Sequence, residues 1–183
     1  MNNTTKKICI TAMGAALFVV LSLCLQVPVF ENYYLCLGYI VMGIFCYYFG
    51  PISGITVGTL GVCLYCLLIS GLRGLPGWVM GNIIIGLMMG LACKFTVNIK
   101  SKLLRQIIIM MSVVISTAIG ILGIKSVVEC FLYAQPFLLR VAKNMTAFIA
   151  DIVVLGISFP IALSIEPIMN KTFKELIIHK KGK

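Results

Sequence analysis

"LGYIVMGIFCYYFGPISGITVGTLG", Leu37 to Gly61, is the stretch on which the fold turns. It carries no charged residue and is interrupted once, at Gly50-Pro51. Proline has no N–H to donate, and it pushes the preceding residue out of the helical region. A regular helix is therefore expected to be interrupted here. The sequence reads instead as two apolar spans, Leu35 to Phe49 and Ile52 to Ser70, joined by a tight reversal or a broken helix with almost no loop. Gly54, Gly58 and Gly61 recur on one face of the second span, where small residues let helix backbones approach closely.

Working outward, the rest of the chain repeats the theme. A bilayer core of about 30 Å needs about 20 apolar residues as a helix. Four further runs approach that length: Ile8 to Val27, Gly77 to Phe95, Leu104 to Val128 and Met145 to Ile165. Pro28, Pro76 and Pro136 fall in the connections, and Pro160 lies late in the last run. Charged residues make up 11% of the 183 residues, against about 25% in a soluble domain. Mean hydropathy is +1.10. The expectation is an all-α integral membrane protein, a single domain over residues 1–183 built as a bundle of six transmembrane helices.

The formal net charge is +10. Its placement argues against a nucleic-acid surface, because the basic residues gather in the short segments beside the apolar runs. Lys6, Lys7, Lys94, Lys100, Lys102, Arg105, Lys171, Lys174, Lys180, Lys181 and Lys183 fall on one side of the membrane, and Arg73, Lys125, Arg140 and Lys143 on the other. The positive-inside rule then puts both termini in the cytoplasm. The basic start before an apolar run imitates a signal peptide, and Leu21-Ser-Leu-Cys24 a lipoprotein site. Leu23 is bulky for the position before a cleavage point, so an uncleaved first helix is expected.

Polar residues converge at the outer ends. The first outer connection carries Glu31, Asn32, Tyr33 and Tyr34. The second carries Arg73 and Trp78, with Asn82 one turn deeper. The third is read as holding Glu129, Tyr133, Gln135, Arg140, Lys143 and Asn144. Lys125 and Glu129, at i,i+4, are within reach of one another. Asp151 lies about two turns inside the last span, where a charge is costly and by default functional. It is either a structural ion pair with Lys125, Arg140 or Lys143, or a contact to a ligand. Trp78 reads either as an interfacial anchor or as a pocket wall. The candidate substrate site comprises Glu31, Asn32, Tyr34, Arg73, Trp78, Asn82, Lys125, Glu129, Arg140 and Asp151. Aromatic rings with a few polar groups suit a small heteroaromatic or amphiphilic solute.

Other chemistry finds little support. Cys63-Leu-Tyr-Cys66 has CxxC spacing, but no second pair accompanies it and the single His is His179 in the tail. Buried cysteines act as small hydrophobes, and neither a metal nor a cofactor is expected. A lipid-directed enzyme needs clustered carboxylates, His or a nucleophile–base pair. A channel or stand-alone permease, the alternative reading, needs polar residues through both halves of the bundle. Ala12, Ala15 and Ala16 form a small-residue stripe in the first span, read either as internal packing or as a smooth face for another subunit's helix.

The alanine-bearing first helix, the Leu37–Leu91 stretch with its "FGP" and "GLPGWVMGNIIIGLMMGL" features, and the basic tail resemble the substrate-binding S component of an energy-coupling factor (ECF) transporter. The resemblance implies a six-helix subunit without enzymatic activity. Such a subunit binds a water-soluble vitamin or precursor at the outer face, riboflavin-, pyrimidine- or pantothenate-like. It docks through its first helix, here Ala12, Ala15 and Ala16, on a transmembrane coupling subunit driven by two cytoplasmic ATPases. The chain itself has no GxxxxGK[ST] phosphate loop. Trp78 matches a Trp at the start of the fourth helix of one subgroup. The His and Asp that follow that subgroup's "FGP" and glycine stretch are Val62 and Cys66 here.

Overall fold

The computed structural model describes residues 3–24, 27–30, 33–70, 74–99, 101–173 and 176–177. Helix α1 is Asn3–Cys24, and a short hairpin of strands β1 (Val27–Phe30) and β2 (Tyr33–Leu35) follows. Then come α2 (Gly38–Phe49), α3 (Pro51–Tyr65), α4 (Leu75–Phe95), α5 (Lys102–Thr117), α6 (Ser126–Tyr133) and α7 (Phe137–Thr172). Two stretches are wound as π-helix. Cys66–Ser70 prolongs α3, and Ala118–Lys125 joins α5 to α6 in one rod. Among the described residues, five helical rods are long and apolar enough to cross a membrane, and α2 is a shorter apolar helix. This is a multi-pass membrane protein.

The Gly50-Pro51 break acts as its chemistry requires. α2 stops at Phe49, Gly50 takes φ 85°, which a Cβ would oppose, and Pro51 opens α3 at a first-turn position where no N–H is needed. α2 spans only 12 residues, about 18 Å at 1.5 Å each. It is too short to cross alone but is wrapped by its neighbours. Tyr39, Met42, Cys46 and Tyr48 have no exposed surface, and α2 packs against α1, α3, α4 and α7. A helix that is apolar all round belongs in a core.

From α1 to the α5–α6 rod, consecutive helices run antiparallel along small-residue seams. A Cβ on Gly86 would meet the Ile55 backbone nitrogen at 2.9 Å, and one on Gly90 would collide with Pro51. α3 and α4 thus touch backbone to backbone, the most extensive helix contact of the bundle. On the other side of α4, a Cβ on Gly81 would lie 3.0 Å from the Gly120 carbonyl of the π-wound segment. Gly14 faces the Phe45 ring, and Gly38 faces Phe18 and Ser22. The pairings place the start of α1 and the end of α7 at one end of the bundle and the hairpin at the other.

The bundle is all-helical as expected, and its first connection is a two-stranded antiparallel hairpin with a bulge between Pro28 and Phe30. Two expectations are corrected. The connection before the last helix is only Ala134–Pro136, because α6 runs to Tyr133 and α7 already begins at Phe137. Glu129, Arg140 and Asn144 are therefore helical residues rather than loop residues. The last helix is also much longer than Met145 to Ile165, reaching Thr172 through Pro160 and Pro167.

Candidate functional site

The hairpin end of the bundle gathers the polar side chains. Its floor is a chain of hydrogen bonds through three helices. The Trp78 indole N–H donates to the Tyr39 hydroxyl (2.9 Å), which donates to Asn82 Oδ1 (2.7 Å). Asn82 Nδ2 in turn donates to the Gly58 carbonyl (3.0 Å). Tyr39 and Asn82 are buried, so each needs these partners. Tyr65 meets Trp78 edge to face at 6.0 Å, and Phe18 meets Tyr39 likewise at 5.8 Å. The Lys125 ammonium lies 5.5 Å from the centre of the Trp78 ring, within the range of a cation–π contact.

One wall is a polar clasp that binds the continuous α5–α6 rod to α7. Glu129 lies 4.0 Å from Lys125 Nζ and 3.8 Å from Arg140 Nη1. Asn144 Nδ2 donates both to Glu129 Oε2 and to Ser126 Oγ, each at 3.0 Å. The Ser126 hydroxyl donates to the Ile121 carbonyl five residues back, inside the widened helix. Arg140 also covers the Tyr133 ring at 4.0 Å. Ala134, at φ 49°, turns the chain so sharply that α7 returns Arg140 and Asn144 over Glu129. Gly77 lets α4 lie against the clasp, since its Cβ would sit 3.1 Å from Glu129 Cγ.

Arg140, Asn144 and Asp151 fall on one stripe of α7 at 3.6 residues per turn. Asp151 is buried, close enough to Tyr39, Cys36 and Lys125 to interact electrostatically. Its carboxylate forms no hydrogen bond or ion pair among the described residues. The ion-pair role considered for Asp151 belongs to Glu129.

Trp78, Asn82, Lys125, Glu129, Arg140 and Asp151 thus come together at one end of the molecule. Glu31, Asn32 and Arg73 lie outside the described residues. Tyr34 is in β2, which pairs with β1 and contacts α7. In the first-helix stripe, Ala15 is buried and faces the bundle, whereas Ala12 and Ala16 are exposed beside Ile8, Met13, Leu17 and Val20. Tyr39, Ser126 and Asn144 were not among the site residues expected. Tyr39 reads as one more apolar-helix aromatic, and the other two acquire their role from the corner at Ala134.

The opposite half of the bundle holds a cavity of about 680 Å³ between α5 and α7. It is walled by Ile109, Met110 and Phe159, with Arg105 and Glu166 among its polar lining. Arg105 donates to the Tyr47 hydroxyl (2.5 Å) and lies 5.0 Å from that ring's centre.

The bundle thus has one polar end that holds aromatic rings, and no cluster of three potential metal ligands occurs among the described residues. The family model described as "ECF-type riboflavin transporter, S component" matches residues 2–166. A UPF0397 protein of Streptococcus thermophilus is 27% identical over 90% of this chain and 91% of its own. The UPF0397 protein YdcD of Lactococcus lactis subsp. lactis is 30% identical over 97% of this chain and 81% of its own. Among solved structures, the S component for biotin from an ECF-type ABC transporter superposes with a TM-score of 0.58. It is 16% identical, covering 91% of this chain and 95% of that one, a likeness of fold. The chain belongs to the ECF-type riboflavin transporter S component family. It is a transport subunit and not an enzyme.

Proposed function

We propose that this subunit captures a water-soluble vitamin or vitamin precursor at the hairpin end, facing the exterior of a prokaryotic plasma membrane. It crosses the membrane six times with both termini in the cytoplasm. α2 makes the short crossing inside the bundle, as the eleven-to-four division of Lys and Arg supports. The observation that carries the reading is the convergence of Trp78, Tyr39, Asn82, Lys125, Glu129, Arg140 and Asp151 at one end of an otherwise apolar bundle. Glu31, Asn32, Tyr34 and Arg73 are assigned to the same site from their place in the sequence alone.

Energy comes from partners. The subunit docks through Ala12 and Ala16 on a transmembrane coupling subunit driven by two ATPases, with Ala15 holding the same helix to its own bundle. The exposure of Ala12 and Ala16 in a row of apolar side chains supports this. Trp78 is the only tryptophan, so its fluorescence reports occupancy directly. Purified protein titrated with candidate vitamins is expected to show saturable quenching. Vesicles holding this subunit alone are expected to bind the solute without accumulating it. Accumulation without partners favours a stand-alone permease.

A further inference from the structure

The cavity of about 680 Å³ between α5 and α7 lies away from the hairpin end and falls in the size range of small-molecule sites. Its back wall, made by Tyr47, Ile109 and Phe159, is buried, and its rim of Met110, Pro160 and Leu163 is exposed. An apolar rim between two membrane-crossing rods opens on the bilayer. The lining is graded along the helices. Arg105 and Gln106, at the start of α5, and Glu166, in the last two turns of α7, lie at one end, whereas Ile109, Met110 and Gly156 lie deeper. Gly156 precedes Glu166 by ten residues, about 15 Å of helix. That is half of a hydrocarbon core of about 30 Å. The groove therefore has the depth of one leaflet, with its polar end at the Lys-rich side of the bundle.

The polar end holds one charge of each sign. Tyr47 orients Arg105, accepting a hydrogen bond from its guanidinium (2.5 Å) and placing its ring centre 5.0 Å away. A guanidinium so oriented presents a fork of donors that matches phosphate oxygens. The Glu166 carboxylate lines the same cavity and makes no hydrogen bond or ion pair among the described residues. It attracts an ammonium group and repels a head group that carries negative charge alone. Gly156 leaves the inner end open, since a Cβ there would reach only the terminal methyl of Met110, at 3.4 Å. We infer that the groove binds a zwitterionic aminophospholipid of the leaflet at that end. Its phosphate rests on Arg105, its ammonium on Glu166 and one acyl chain along Ile109, Phe159 and Leu163. The site is separate from vitamin capture and stands whether or not the hairpin end is the substrate site. The proposed orientation makes the leaflet the cytoplasmic one.

The test uses the purified full-length protein, stripped of lipid in detergent, with bound lipid read by native mass spectrometry. Four probes are added: dioleoylphosphatidylethanolamine, dioleoylphosphatidylglycerol, dioleoylglycerol and water-soluble phosphoethanolamine. One molecule of the phosphatidylethanolamine is expected to bind, about tenfold or more tighter than either other dioleoyl lipid. Phosphoethanolamine at millimolar concentration should not displace it. Arg105→Gln is expected to weaken the lipid about tenfold or more, and Glu166→Gln to remove its preference over phosphatidylglycerol. Gly156→Leu alters no polar group and puts its bulk in the groove, so it should also lose the lipid. Circular dichroism and thermal unfolding establish which variants fold, and Gly156→Leu decides the matter if Arg105→Gln does not. Equal binding of dioleoylglycerol, or a parent preference for phosphatidylglycerol, overturns the inference. So does parent-like lipid binding by folded Arg105→Gln or Gly156→Leu, or a preference that survives Glu166→Gln. Displacement by phosphoethanolamine overturns it as well, making the groove a site for a free phosphate ester.

Discussion

Glu129 and Asp151 are both buried carboxylates near the same lysine, and their contrast defines what each residue can be asked to do. Removing the charge of Glu129 takes from buried Lys125 and partly buried Arg140 the carboxylate they share, and takes an acceptor from Asn144. Breaking such a pair from one side costs about 3–5 kcal/mol. Glu129→Gln is therefore expected to lower the thermal unfolding midpoint in detergent markedly. Asp151→Asn removes a charge with no partner to lose among the described residues, so its midpoint should hold or rise. Equal destabilisation by the two substitutions would refute this division of labour. The sequence carried part of it. The i,i+4 spacing of Lys125 and Glu129 was legible as a contact. The addition of Arg140 and Asn144 was not, because it depends on α7 starting at Phe137. The stretch Phe137–Asn144 is polar enough to read as a connection, and hydropathy registers only what lies in lipid.

At the scale of the helix, the bundle is governed by where backbones must touch. Gly86 and Gly90 face the backbone of α3 directly, with no flexible side chain between to give way. Overpacking such a contact costs about 1–3 kcal/mol. Gly86→Ala is expected to lower the unfolding midpoint, and Gly86→Leu to prevent recovery of folded protein. Gly123→Ala, where a Cβ meets nothing within 4 Å, is the control and should unfold as the parent does. These seams were readable as small-residue spacings, and the Gly50-Pro51 break as a proline whose missing N–H ends one helix and suits the first turn of the next. The hairpin was not readable, since strands of four and three residues leave no periodicity to detect. Nor was the π-wound stretch, because widening a helix leaves its apolar composition unchanged. It nevertheless carries Lys125 at its end and so positions half of the site.

For the whole molecule, the fold sets the polar hairpin end apart from the exposed Ala12 and Ala16 near the start of α1. The six apolar runs and the charge asymmetry made the bundle legible, because lipid imposes length and composition directly on sequence. Which flank of α1 looks outward was not legible, because three alanines within five residues cover too wide an arc to have a single direction. The structure turns Ala15 inward and leaves Ala12 and Ala16 exposed, and that difference yields the last prediction. If α1 is the surface that a coupling subunit presses against, bulk at Ala12 or Ala16 obstructs docking without reaching the site at the other end of the molecule. Ala12→Trp and Ala16→Trp are then expected to leave solute affinity unchanged in purified protein, assayed with a radiolabelled solute because the added indole obscures Trp78. Uptake in cells that contain the coupling module should be lost. Ala15→Trp should fail earlier, by disrupting the bundle, since the side chain has only the interior to enter. Full uptake by both exposed-face variants would remove α1 as the dock, and the search for the partner surface would move to another face of the bundle.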